Sequence, residues 1–243
     1  MTLKRSINVF SETKNRLARI DELEIQSSIN SRESAVLSAL YVKDSRLDDA
    51  VTVLQTGIDS TPDTSEKSLL ISRLADVHRR GQEFVKAAEV IESLIELPGG
   101  RSSKNLKELV SLYARAGIAE GGLKWLAEWK KLAPGSSQPW LEEAKLLVLD
   151  ERIDEAIETL RKASHKLDGA PEIRSRMAEY YRDAGKPADA IEVYWGLYED
   201  AEEVMTKMRW VRFLHETAQW TGGSERLIAN FEDRHRGNRG SVF

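Results

Sequence analysis

Four carboxylates fall within eight positions of the stretch "ERIDEAIETLRKA", residues 151–163: Glu151, Asp154, Glu155 and Glu158. Carboxylates so close together can share a proton for general acid–base work or gather around a hard cation. Helical spacing argues for a plainer role. Ile153, Ala156, Ile157 and Leu160 form one apolar stripe, and the acids occupy the remaining arc. Asp154 and Glu155 also lie in a first helical turn, where the helix dipole favours negative charge. The same logic fits "LDDA" before Ala50 and "PADA" before Ala190. These acids are expected to be a solvated helix face, and no catalytic residue is assigned.

The remaining chemical candidates are sparse. The histidines are His78, His165, His215 and His235, and none stands three or four residues from another as a helical metal pair would. His78 reads as a packing residue. "PGGRSSKN", residues 98–105, lacks the phosphate-loop spacing and follows the helical "AEVIESLIEL", so it reads as a connecting loop, as does "TGGSER" around Ser224. Trp125, Trp129, Trp140, Trp195, Trp210 and Trp220 are expected mainly to fill space between helices, Trp220 being the one least expected to be buried. The tail "RHRGNRGSVF" carries Arg234, Arg236 and Arg239 and is expected to be a flexible basic terminus.

Composition narrows the classes further. With 36 Lys and Arg against 40 Asp and Glu the formal charge is 36 − 40 = −4, which offers no general attraction to nucleic acid or anionic membrane. No cysteine is present, excluding disulfides, thiolate nucleophiles and cysteine-bound zinc. No apolar run has signal-peptide or bilayer-spanning length. A cytoplasmic protein with no cofactor, no metal and no membrane partner is expected.

The elements that must position any site emerge from a period. No alternating strand-like run is evident, and the whole chain reads as helical. Ala50, Ala87, Gly122, Ala156 and Ala190 recur at spacings of 37, 35, 34 and 34. Four residues after each comes Leu54, Ile91, Leu126, Leu160 or Tyr194. Thirteen residues before each stands Leu37, Leu74, Leu109, Glu143 or Met177, apolar in every case but Glu143. Next to these lie Ser38, Ala75, Val110, Ala144 and Ala178, and three positions further Tyr41, His78, Tyr113, Leu147 and Tyr181. Small residues at fixed points let helix axes approach, and larger partners fill the adjacent grooves. Gly117 and Gly185 sit where a left-handed helix cap is needed, and Pro139 and Pro171 at first-turn positions. The second repeat reads as one residue short before its internal turn at Gly81.

This register resembles the tetratricopeptide repeat family, a helix–turn–helix repeat of about 34 residues. The segments beginning at Trp140 and Ile173 match most cleanly, and Pro62, Pro98 and Pro134 close three repeats. The resemblance implies an all-α fold, an α-solenoid wound as a right-handed superhelix. The expected organisation is a helical N-terminal cap over 1–29, five repeats over 30–202, degenerate or capping helices over 203–235 and a flexible basic tail over 236–243. Leu17, Ile20 and Leu23 could serve the first cap, and Leu227, Ile228 and Phe231 the last.

The resemblance also implies a non-catalytic scaffold or adaptor that holds a protein or peptide in a groove lined by the first helix of each pair. Mapped here, that groove takes in Ser72, Asp76, Arg79 and Arg80, then Lys107, Ser111 and Arg115, then Glu179 and Arg182. Its basic residues point to an acidic or C-terminal carboxylate peptide. The family's chaperone-tail clamp is incomplete, so that partner is not expected. The alternatives are a regulatory segment of a larger enzyme or assembly and, ranked below it, a nucleic-acid binder acting through the Arg-rich tail. An enzyme ranks last, and the oligomeric state is left open.

Overall fold

In the computed structural model, residues 2–26 and 29–220 are described, and every regular element among them is an α-helix. The expectations placed on Leu227, Ile228, Phe231, His235 and the Arg-rich tail, and on the side chain of Trp220, lie outside the described residues. The chain divides into two compact units, residues 1–132 and 133–243.

The first unit opens with α1 (Thr2–Glu24). Three helix pairs follow: α2 (Ser31–Lys43) with α3 (Leu47–Ser60), α4 (Thr64–Arg80) with α5 (Phe84–Glu96), and α6 (Ser103–Ala116) with α7 (Ala119–Leu132). The second unit contains α8 (Gln138–Leu149) with α9 (Ile153–Lys166), α10 (Pro171–Asp183) with α11 (Pro187–Asp200), and α12 (Val204–Trp220). Within each unit every helix packs on the next, so the pairs stack in chain order as the repeats of an α-solenoid do. The all-α expectation is met.

The small-residue register is the core of both units. Ala50, Ala87, Ala156 and Ala190 are fully buried and Gly122 is buried with them. Their partners Leu54, Ile91, Leu126, Leu160 and Tyr194 are as deeply enclosed. The small residues of the first helices, Ser38, Ala75, Ala144 and Ala178, are buried beside them, and Val110 is accommodated without exposure. Glu143, the exception in sequence, is half-exposed.

The turns inside the pairs obey the same register. Ser45, Gln82, Gly117, Glu151 and Gly185 take φ of 61°, 61°, 74°, 60° and 70°. Each lies five residues before its buried small residue. In each turn the following amide donates to the carbonyl five residues back: Arg46 to Tyr41, Glu83 to His78, Ile118 to Tyr113, Arg152 to Leu147 and Lys186 to Tyr181, at 2.8–3.0 Å. This is the Schellman closure, and its left-handed residue is most comfortable as glycine. The apparent shortness of the second repeat is therefore corrected. Gly81 has φ −73°, and the left-handed residue is Gln82, fully in register.

Starts are specified by local chemistry. Asn30 accepts from the amides of Arg32 and Glu33 while the Glu33 carboxylate takes the Asn30 amide, a complete capping box. Asp63 caps α4 and Ser102 caps α6. Pro139, Pro171 and Pro187 occupy the first turns of α8, α10 and α11. Helix α1 covers the first pair through Ile20 and Leu23, with Arg16 paired to Asp44, whereas Leu17 is 48% exposed and takes no part in the core.

Candidate functional site

The carboxylate cluster resolves into ion pairs. Glu155 accepts from Arg152 at 2.7 and 2.8 Å, Asp154 from Lys186 at 2.6 Å, and Glu158 from Arg161 at 2.5 Å. Glu151 is the left-handed residue of its turn. Hydrogen bonds from Arg152, outweighing its slight desolvation, hold the Glu155 carboxyl below its usual range. Each acid thus has an electrostatic or conformational task on the surface. Among the described residues, no group of three or more His, Asp or Glu could hold a metal ion.

The first helices of the pairs in the first unit build a different kind of surface. A groove of about 470 Å³ between α4 and α6 brings together six of the expected residues, Ser72, Asp76 and Arg79 from α4 and Lys107, Ser111 and Arg115 from α6. Lys104, Asn105, Glu108 and Leu112 complete its wall. Arg80 is not in that lining. It faces a neighbouring groove of about 360 Å³ between α2 and α4, with Lys43 and Arg73, and Asp76 borders both grooves. Glu179 and Arg182 are half-exposed on α10 in the second unit, Glu179 accepting from Arg176 at 2.7 Å.

Electrostatically these grooves are unusual within the chain. Helices α2, α4 and α6 carry Arg32, Lys43, Lys67, Arg73, Arg79, Arg80, Lys104, Lys107 and Arg115. Among the described residues only Arg79 is in an ion pair, with Asp76 on its own helix. The others keep their charge available to solvent or a ligand. Lys43, Arg73 and Lys104 were missed in the sequence mapping. Lys43 had a usable signal: it stands six residues after Leu37, as Arg80 does after Leu74 and Arg115 after Leu109.

The walls are fixed from behind. His78 is buried in the last turn of α4, and its Nδ1 lies 2.7 Å from Glu83 just before α5. Hydrogen bonds from Lys86 and then His78 keep the Glu83 carboxyl below its usual range. Glu92 Oε1 on α5 receives the Tyr113 hydroxyl of α6 at 2.9 Å, the Trp125 indole of α7 at 3.0 Å and the Lys124 ammonium at 2.6 Å. Burial opposes the Glu92 charge, but these donors prevail and hold its carboxyl below the usual range. Tyr113 is pushed up to about 12 by burial and by its bond to that carboxylate. Trp129 is buried and donates to Ser103 at 2.7 Å, tying α7 to the start of α6. Within "PGGRSSKN", Ser102 caps α6, and the Gly100 carbonyl accepts from Asn105 at 2.7 Å. A Cβ on Gly100 would lie 1.9 Å from the Leu94 carbonyl oxygen, so this glycine serves close packing. Trp195 and Trp210 are buried as expected, while Trp125 and Trp140 are half-exposed.

No family model matches the sequence, and no curated protein matches it. Solved structures do resemble the fold. The crystal structure of MamA protein matches with a TM-score of 0.52 at 13% identity, covering 68% of this chain and 87% of that one. The structure described as MamA 41-end from Desulfovibrio magneticus RS-1 gives a TM-score of 0.51 at 12% identity, over 74% of this chain and 95% of that one. A MamA RS-1 double mutant gives 0.52 at 11% identity, over 75% and 94%. Those proteins are built of tetratricopeptide repeats, and the likeness is one of fold. Among the described residues no helix is long and apolar enough to cross a membrane.

Proposed function

Taking the tetratricopeptide-repeat fold as the premise, we propose that this chain is a non-catalytic scaffold that captures an acidic peptide segment of a protein partner. The capture site is the surface formed by α2, α4 and α6. One observation carries the reading. Among the described residues these three helices turn a row of cations, all but Arg79 without an acid partner, toward two adjoining grooves, in a chain whose net charge is −4. Opposite charge in a concave surface steers and orients a ligand, giving specificity and association rate more than raw affinity.

The grooves also supply Ser72, Ser111 and Asn105, neutral hydrogen-bonding groups of the kind that hold a peptide backbone. The test is a titration followed by fluorescence anisotropy, using a labelled glutamate-rich dodecapeptide against the whole protein. Arg79→Glu combined with Lys107→Glu is expected to weaken binding by at least about tenfold, with helix content unchanged. Equal affinity in the double variant would remove this surface from the account.

A further inference from the structure

A cleft in the second unit breaks the repeat register in two places at once. It holds about 330 Å³ and is walled by the start of α10, the end of α11 and the start of α12. Arg174 of α10 lines it and stands sixteen residues before the buried small residue of its pair, where the other pairs have Ser34, Ile71, Leu106 and Trp140. A cation thus occupies a position that is uncharged elsewhere, and its side chain is only 20% exposed. Gly196 of α11 stands six residues after the small residue, where the other pairs have Thr56, Ser93, Glu128 and Lys162. A Cβ there would collide with the Arg174 guanidinium, so the glycine makes the room that the cation needs.

Both departures cost stability, since glycine weakens a helix interior and a covered cation loses solvation. They are offset within the chain by one ion pair, to Asp200, whose side chain is 66% exposed, and such pairs contribute little. Places where a sequence departs from the rules of its own fold mark functional or strained sites. Here two departures meet in a cleft of ligand size.

We infer that this cleft binds a free α-amino acid with an apolar side chain. The Arg174 Nη1 donates to Asp200, and the other N–H groups of its fork have no acceptor among the described residues. That fork matches a carboxylate. The lining carries one cation against two acids, Asp168 and Asp200, so a simple anion would meet net repulsion and a zwitterion would not. Asp168 is exposed and in no ion pair among the described residues, which leaves it to receive an ammonium. Pro171, Leu197 and Trp210 supply the apolar wall for the side chain. The inference is independent of peptide capture, which belongs to the first unit.

The test titrates the isotopically labelled whole protein with L-leucine, L-valine, L-methionine and L-phenylalanine and follows amide shifts. At least one of the four is expected to give saturable shifts centred on Arg174, Gly196 and Trp210. Removing either charge of that ligand, as its amide or its deaminated acid, should weaken binding at least about tenfold. Arg174→Leu puts an uncharged residue back at the register position. It should abolish the shifts and leave the melting temperature unchanged or raised. Asp168→Asn should weaken the amino acid severalfold but not its deaminated acid. Absence of saturable shifts with all four, equal binding by Arg174→Leu, or equal binding of the deaminated acid would overturn the inference. A destabilised Arg174→Leu beside an Asp168→Asn that binds as the parent does would assign the arginine to structure alone and overturn it as well.

Discussion

The two units are built on one interior register but present opposite surfaces on their first helices. In the first unit, α2, α4 and α6 carry cations that face grooves, and only Arg79 is neutralised by an acid among the described residues. In the second, every Lys and Arg on α8 and α10 lies beside a carboxylate: Lys145 by Glu142, Arg174 by Asp200, Arg176 by Glu179 and Arg182 by Asp183. Exposed ion pairs of this kind contribute at most about 1 kcal/mol each, so neither pattern is demanded by stability. The interior positions are interchangeable between the units because close helix approach dictates them. The surface positions differ because nothing in the fold constrains them, and a ligand-binding surface can be written there.

If the interior is shared, overpacking it should cost the same in both units. Ala87→Leu and Ala190→Leu each insert a large side chain at a fully buried position and are expected to destabilise by about 1–3 kcal/mol. Denaturant melts check this. A parental midpoint for either variant would break the common register.

The Glu92 hub belongs to the first unit alone, and Glu92→Gln should cost about 1 kcal/mol near neutral pH. The pKa of Glu92 is lowered in the folded state, so its charge stabilises the protein above the ordinary glutamate pKa of about 4.3. That contribution is lost as pH falls through the depressed value. The gap between parent and variant, followed by urea melts from pH 7 to pH 3, should therefore be widest at neutral pH and narrow in acid. A gap that widens in acid would contradict the assignment.

The turns sharpen the comparison further. Gly117→Ala and Gly185→Ala meet no neighbour within 4 Å, so each should lose only the left-handed conformational preference, about 1 kcal/mol. The converse changes Gln82→Gly and Glu151→Gly should gain up to about 1 kcal/mol by relieving a strained non-glycine residue. Thermal melts of the four variants would show the two signs. The smallest effect is expected at Tyr194, whose buried hydroxyl has no hydrogen-bond partner among the described residues and whose pKa is pushed up to about 12 by burial. Tyr194→Phe should leave the melting temperature unchanged or raise it slightly, because an unpaired buried donor is removed.

The sequence made the interior legible for a physical reason: Ala50, Ala87, Gly122, Ala156 and Ala190 tolerate few side chains, so their recurrence survives as a pattern. The turn register was harder to read. Gly81 drew attention as a glycine, although the left-handed residue is Gln82, and Ser45 and Glu151 fill the same role without the usual residue type. Six of the nine expected groove residues line a single groove because helical periodicity carries Ser72 to Asp76 and Lys107 to Ser111 along one face. Arg80 was displaced into the neighbouring groove by the next step around the helix, and Lys43 went unnoticed because one position means little until three pairs are compared. The Glu92 hub was invisible in the sequence, since it joins residues 21 and 33 positions apart that no periodicity links.

The most direct measurement is amide chemical-shift mapping of the isotopically labelled protein during titration with the glutamate-rich dodecapeptide. Perturbations are expected to concentrate along α2, α4 and α6, around Lys43, Arg80, Lys107 and Arg115, and to leave α8 and α10 unmoved. Shifts confined to α8 and α10, or spread over α3, α5 and α7, would contradict the account.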